Sequence, residues 1–465
     1  MNPVDFNRFE WNPELIERYN LAGPRYTSYP TAPQFHDGFG SEEFRQALVD
    51  SNASQAPLSL YFHIPFCAKI CFYCGCNKIA TGDTRRCEPY LQRLYQEMDL
   101  VTEQIDSQRQ VNQLHWGGGT PTFLSDQQMR ELMQETRKRF QLRDDDQGDY
   151  SIEIDPREIQ PTTLPLLREL GFNRMSFGLQ DLNLKVQEAV NRVQPRAMTE
   201  NALIQARELG FRSLNLDLIY GLPHQTPETF AATLEEVIEM DPDRLSVFNY
   251  AHLPERFKPQ RRIKAEDLPT PEQKLIILEQ TISRLVEAGY VYIGMDHFAK
   301  PDDSLAIAQR EGRMHRNFQG YTTHSNCDLI SMGASSISQV GPTYAQNHHD
   351  TESYEAAIGD GRFATLRGLQ LTEDDLLRRA AINQLICHFE LDGDAFGKQH
   401  GINFGDYFQQ ELEHLQQHQK DGLLQIQGNH LIVSPAGRLL VRSICMIFDS
   451  YLDQNGLGKA FSRII

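Results

Sequence analysis

The 465-residue chain has no apolar run near the roughly 18 residues that a membrane-spanning helix needs, so no such helix is expected. Its start, MNPVDFNRFEW, has neither the basic nor the apolar segment of a secretory signal, and a cytoplasmic protein is expected. Positive charge is in short supply. With 45 Lys and Arg against 63 Asp and Glu, the net charge is −18, which argues against nonspecific nucleic-acid binding and an acidic membrane surface. Cysteine is scarce: there are eight, too few and too spread for the disulfide scaffold of a small secreted domain. What remains is ordinary globular composition, 40% hydrophobic and 23% charged, long enough for two or three domains. An acidic surface without a long apolar stripe favours a monomer.

Residues 1–56 are polar and broken by Pro13, Pro24, Pro30 and Pro33, and read as an N-terminal arm. From Leu58 a rhythm begins, with β-type runs at 58–64, 112–116, 150–154, 174–179, 213–220 and 244–250, and a looser seventh at 290–295. Charged, helix-patterned stretches separate them; Thr226, Pro227 and Glu228 read as a helix start. Strands alternating with helices imply an α/β fold with a parallel sheet, and six or seven such units over residues 57–364 fit an incomplete or full (β/α) TIM-like barrel better than a doubly wound sheet. After about residue 365 the strand rhythm stops. A mostly helical C-terminal domain, 365–465, is expected, with one short hairpin in LLQIQGNHLIVSP.

Four cysteines crowd into Cys67, Cys71, Cys74 and Cys76, whereas Cys87, Cys327, Cys387 and Cys445 read as inert core or loop thiols. Pro65 ends the first strand, so the crowded loop lies at a strand's C-terminal end, where barrel enzymes carry their chemistry. Iron–sulfur clusters are held by cysteine thiolates. Three of them, Cys67, Cys71 and Cys74, would leave a fourth iron open. A zinc site that also uses Cys76 is the competing reading, although Cys74 and Cys76 are only one residue apart.

The CxxxCxxC spacing, with Tyr73 before the last cysteine, resembles the radical S-adenosylmethionine (SAM) superfamily. Gly117-Gly118-Gly119-Thr120-Pro121 stands where that superfamily has a glycine motif for SAM. Within it, the chain is similar to the oxygen-independent coproporphyrinogen III dehydrogenase family. The similarity runs from about Tyr19 to the C-terminus, on LYFHIPFCAKICFYCGCNK, LHWGGGTPTFL, IEIDPRE, GLQDLN, NLDLIYGLPHQT, GMDHFA and HRNFQGYTT.

The resemblance implies a 4Fe–4S cluster on Cys67, Cys71 and Cys74, two SAM molecules, and cleavage of SAM to a 5′-deoxyadenosyl radical. It further implies conversion of two substrate propionates to vinyl groups in haem synthesis, with a low-potential electron donor and a porphyrinogen as partners. Tyr61, Gly118, Glu153 and Ile337 match contacts to the cluster-bound SAM. Tyr73, Gly119, Thr120, Gln180, Arg192, Asp217 and Ala251 match contacts to the second. Tyr61, Glu153 and Cys76 are expected to act in catalysis, Cys76 by shaping the site or touching SAM.

Blander roles stand beside these: Glu153 and Asp217 as helix caps, Gln180 and Arg192 as surface polar groups, Tyr61 and Tyr73 as packing, and His63 in a local hydrogen bond. Asp217 lies in an apolar strand, where a ribose hydroxyl or Arg192 would satisfy it. Arg25, Lys78 and Arg316 are candidates for the substrate carboxylates, and Arg25, Tyr26 and Tyr29 of the arm are expected to cover the substrate. A related haem chaperone is the alternative on the same fold. It lacks the GPRYTSYP segment and has an aromatic residue where this chain has Cys76.

Overall fold

The computed structural model describes residues 9–452, 461 and 463–465; the first eight residues of the expected arm and residues 453–460 of the expected C-terminal domain lie outside it. Two compact units result, and neither is one continuous stretch of chain.

Residues 35–278 and 326–370 form the larger unit. Its strands β1 (Leu58–Ile64), β2 (Gln110–Gly118), β3 (Asp149–Ile154), β4 (Arg174–Gln180), β5 (Ser213–Tyr220) and β6 (Arg244–Asn249) pair in parallel in the order β6-β5-β4-β3-β2-β1. Each lies on an expected run. In β3 and β4 every second residue is buried, which is how a strand with two unlike faces reads. Leu60, Phe62, Trp116, Ile152, Phe177 and Leu216 are fully buried on one face. Helices Cys87–Thr102, Asp126–Arg139, Thr163–Leu170, Arg196–Glu208 and Pro227–Glu239 fall between successive strands and bury Leu94, Leu132, Leu167, Ala206 and Val237. Each buried Leu or Val among them contributes about 1.5–3 kcal/mol. Thr226 caps its helix by accepting from the Thr229 N–H, with Pro227 in the first turn, as its sequence predicts.

β1 gains a second parallel neighbour, β7 (Asp328–Met332), which periodicity does not reveal. Antiparallel strands β8 (Ile337–Val340), β9 (Thr343–Asn347) and β10 (Thr365–Gln370) follow it. Strand order therefore continues past residue 365. The looser seventh run is also a strand, Val291–Gly294, but it pairs antiparallel with His297–Ala299 in the smaller unit; Met295, with φ 55°, makes the reversal.

The expected arm divides. Residues 35–56 belong to the larger unit, where helix Ser41–Ser51 buries Phe44 and Leu48. Residues up to 34 belong to the smaller unit with 279–325 and 371–465. There the buried Arg442 side chain donates to the carbonyls of Gly23 and Pro24, Tyr26 donates to Asp449 at 3.0 Å, and Tyr29 lies 3.0 Å from Ser450. Tyr26 and Tyr29 are 3% and 1% exposed, so the segment expected to lie over a substrate is itself core. Helices Glu373–His388 and Gln409–Lys420 pack here with Phe396, Phe408 and Phe448. The expected hairpin, Leu424–Gln427 with His430–Val433, gains Glu390–Asp392 as a third strand. Among the described residues no helix is long and apolar enough to cross a membrane.

Candidate active site

The face of β1–β5 opposite the helices is polar. Register sets Tyr61 beside His115, His115 beside Ser151, Glu153 beside Ser176, and Gly178 beside Asp217. Tyr61 stacks on His115 at 5.7 Å between centroids, and its hydroxyl lies 3.1 Å from His63 Nδ1. His115 is held by Ser151 at 2.6 Å and reaches Glu153 Oε1 at 3.4 Å. Burial would raise the Glu153 carboxyl, but His115 and the Gly118 N–H, which donates to Oε2 at 3.0 Å, hold it below its usual value. Glu153 is thus an anion on the polar face, not a helix cap.

The glycine run is where this face meets the cysteine loop. Gly118 has φ 112°, and a side chain there would meet the His63 ring at 2.5 Å. A Cβ on Gly119 would meet the Phe66 carbonyl oxygen at 2.7 Å. Both positions need glycine because the chain itself crosses so closely. The Gly119 and Thr120 N–H groups donate to the carbonyls of Ile64 and Phe66, clamping this turn to the base of the loop.

The loop closes through Phe66–Cys67, parallel to Ile79–Ala80. The Thr120 hydroxyl lies 3.5 Å from Cys67 Sγ, and the Cys76 N–H lies 3.4 Å from Cys74 Sγ. Burial pushes the Cys67 thiol up to about 11. Cys74 is drawn down to about 6, first by its hydrogen bond with Cys76 and also by Lys78, while Cys76 is held well above its usual value as the donor of that pair. Cys71 faces two guanidinium groups, Arg157 and Arg192. Phe72 and Tyr73 pack on Val186, Val190, Leu222, Tyr250 and Ile263, which anchors the tip. All four cysteines are free thiols.

This donor set fits a cluster. Three soft thiol ligands lie on one loop, two of them buried. Among the described residues no three His, Cys, Asp or Glu groups are drawn together as one ion would require.

Toward β4–β6 lie the other expected contacts. Gln180, at φ 72° just past a register shift, has a buried Oε1 without a partner. Asp217 accepts from Ser176 at 2.9 Å and Asn215 at 2.8 Å, and burial raises it to about 6. Arg192 does not satisfy Asp217 as expected; it pairs with Asp155 at 2.9 Å and donates to the Gly178 carbonyl, because Asp155 lies nearer the strand ends. Ala251 is exposed just beyond β6, and Ile337 opens β8, on opposite flanks of the strand order. Sequence reasoning passed over His115, Asp155 and Arg157; the last two stood in view in IEIDPRE, and a polar His in an otherwise alternating strand was the signal for the first.

Comparison with known proteins gives the family. Residues 61–237 match the model of the Radical SAM superfamily, and 371–440 that of the HemN C-terminal domain. The chain is 55% identical over 455 residues to an oxygen-independent coproporphyrinogen III oxidase of Pseudomonas aeruginosa, covering 98% of this chain and 99% of that one. It is 51% identical to the Escherichia coli K12 enzyme of that name, over 99% of this chain and 100% of that protein. The solved structure of coproporphyrinogen III oxidase (HemN) from Escherichia coli, a radical SAM enzyme, superposes with a TM-score of 0.91 at 50% identity, covering 96% of this chain and 100% of that one. Radical SAM membership implies a 4Fe–4S cluster and SAM. Similarity this high along nearly the whole length means that the chain belongs to the oxygen-independent coproporphyrinogen III oxidase family of radical SAM enzymes.

Proposed function

We propose that the protein converts coproporphyrinogen III to protoporphyrinogen IX without oxygen, in haem biosynthesis. What carries this reading is 51–55% identity along 98–99% of the chain to proteins of that name, with the cysteine loop and the polar strand ends in one unit. Each of two propionates loses a β-hydrogen atom, carbon dioxide and one electron, leaving a vinyl group. Bound together, the cluster and SAM supply the hydrogen-abstracting chemistry.

The chain's own task is to hold and shield. Cys67, Cys71 and Cys74 would hold the cluster. Tyr61, Gly118, Glu153 and Ile337 would hold one SAM: Glu153 is the anion for a SAM ammonium group, and Tyr61 a lid braced on His115. Tyr73, Gly119, Thr120, Gln180, Arg192, Asp217 and Ala251 would hold a second. The unpartnered Gln180 Oε1 and the buried Asp217 support that site, since a ligand hydroxyl or amine would complete them. Cys76 acts here through Cys74, to which its N–H donates. Proximity and exclusion of water carry most of the rate advantage. A low-potential electron donor, a monomeric state and a cytoplasmic location belong to the same proposal.

Of the three cations expected to meet substrate carboxylates, Arg25 pairs with Asp296 and Lys78 donates to the carbonyls of Cys74 and Cys76. Arg316 is 6% exposed, lies 4.6 Å over the Tyr321 ring, and has Nε and Nη1 without partners. An uncompensated buried guanidinium is costly, and a propionate would satisfy it. Arg316→Ala is expected to raise KM for the porphyrinogen more than Arg25→Ala or Lys78→Ala; unchanged KM in all three removes this part of the proposal.

The deciding experiment is an anaerobic assay of reconstituted protein with SAM, a low-potential reductant and coproporphyrinogen III, counting protoporphyrinogen and 5′-deoxyadenosine together. Two deoxyadenosines per porphyrin support the reading. Deoxyadenosine without porphyrin product discards the substrate, and no SAM cleavage discards the enzyme in favour of haem binding.

A further inference from the structure

The turn after β3 carries two charged residues, Asp155 and Arg157, that the SAM contacts leave unused. Arg157 Nη2 lies 3.4 Å from Cys71 Sγ, and Arg192 Nη1 lies 3.5 Å from the same sulfur. One carboxylate orients both: Asp155 accepts from Arg157 at 3.0 and 2.6 Å and from Arg192 at 2.9 Å. Their side chains are 6%, 6% and 10% exposed, in the order Arg157, Arg192, Asp155. The backbone fixes the turn too, since the Asp155 side chain caps it by accepting from the Arg157 N–H.

The three cysteines are therefore not equivalent. Cys67 meets a neutral hydroxyl at 3.5 Å; Cys74 meets a backbone N–H at 3.4 Å, with one cation, Lys78, beside it. Cys71 alone of the three faces two cationic donors.

Hydrogen bonds to ligand sulfurs, net charge and solvent exposure set the potential of an iron–sulfur cluster. One electron passes from a low-potential one-electron donor to the oxidised cluster. The donor is oxidised, the cluster is reduced, no atom moves, and the added negative charge spreads onto the sulfurs. A cation fixed beside one of those sulfurs in a poorly screened corner favours the reduced form.

We infer that Arg157, oriented by Asp155, is a positioning residue that raises the reduction potential of the cluster through the Cys71 sulfur. The inference rests on Cys67, Cys71 and Cys74 holding the cluster. It extends to Asp155 with the opposite sign, because that carboxylate offsets the two cations.

The test is redox titration of reconstituted full-length protein followed by electron paramagnetic resonance, without SAM, with iron and sulfide counted in each sample. Arg157→Met is expected to hold the same iron and sulfide as wild type while its reduction equilibrium falls about tenfold, which is about 59 mV for one electron. Asp155→Asn is expected to shift the opposite way, and Arg157→Lys to lie between wild type and Met. A merely structural role would move both variants in one direction. An unchanged potential in Arg157→Met at full iron content overturns the inference, whether or not Asp155→Asn folds. So does a folded Arg157→Met that loses the cluster, which would assign the residue to assembly. If wild type itself binds no iron and sulfide, the cluster reading fails instead.

Discussion

Two sets of buried polar groups in the larger unit are completed to different degrees within the protein. In one set, Glu97 of helix Cys87–Thr102 is 2% exposed and accepts from the Gly333 N–H at 2.8 Å and from Asn347 and Tyr354 at 2.7 Å. Arg109 donates to Ala56, Ser51 and Asp328. Every polar need of these two chains is met within the protein. On the polar face, Gln180 keeps a buried oxygen without a partner, Arg192 keeps its Nε unpaired, and Asp217 is raised by burial. Saturated networks hold a fold together, whereas incomplete ones mark where another molecule completes the bonding.

The comparison predicts a steep gradient of effects. Removing a thiolate on the polar side should be worst: Cys71→Ala is expected to lose iron and sulfide and to abolish SAM cleavage, with the fold retained by circular dichroism. Glu153→Gln keeps an acceptor for the Gly118 N–H but loses the charge facing His115. It should slow 5′-deoxyadenosine formation about 10- to 100-fold, the worth of one charged hydrogen bond. Full activity there would erase the distinction between the two sets.

Gly118→Ala should act through structure, since it forces a side chain at φ 112° against the His63 ring. A melting experiment should find a loss of about 1–3 kcal/mol.

The smallest effect is in the completed set, at Glu97, and depends on pH. Burial raises Glu97 to about 7 from 4.5, despite its three donors. The folded state then keeps a proton that the unfolded state has released, so stability falls as pH rises from about 4.5 to about 7, by at most about 3 kcal/mol. Glu97→Gln should flatten that slope in urea titrations across the window. A slope unchanged by the substitution would show that another group carries it.

Much of this was legible in the sequence, for identifiable reasons. Strands β3 and β4 alternate because one face meets helices and the other meets polar groups, and alternation survives in a string of letters. The Cys67–Cys74 spacing and Pro65 place the loop without coordinates. By contrast β7 and β9 are buried at all five positions, so they carry no period to read. The Arg192–Asp155 pairing was invisible because 37 residues separate the partners and no local pattern points from Arg192 to Asp155. The arm misled because its turn residues suggest a free segment, whereas its acceptors are bonded to Arg442, more than 400 positions away.

That last feature has a consequence for how the protein is made. The smaller unit draws on residues up to 34 and on 371–465, so ribosomes release its first piece long before its last. At roughly 5–20 residues per second, the early segment waits on the order of 20–90 s for Arg442 and its neighbours to be synthesised. During that interval Tyr26 and Tyr29 have no core to enter, while β1–β6 and their helices are already complete. Biogenesis of this enzyme is therefore expected to pass through a state with a finished barrel and an unclaimed aromatic tail, a natural client for a holdase chaperone.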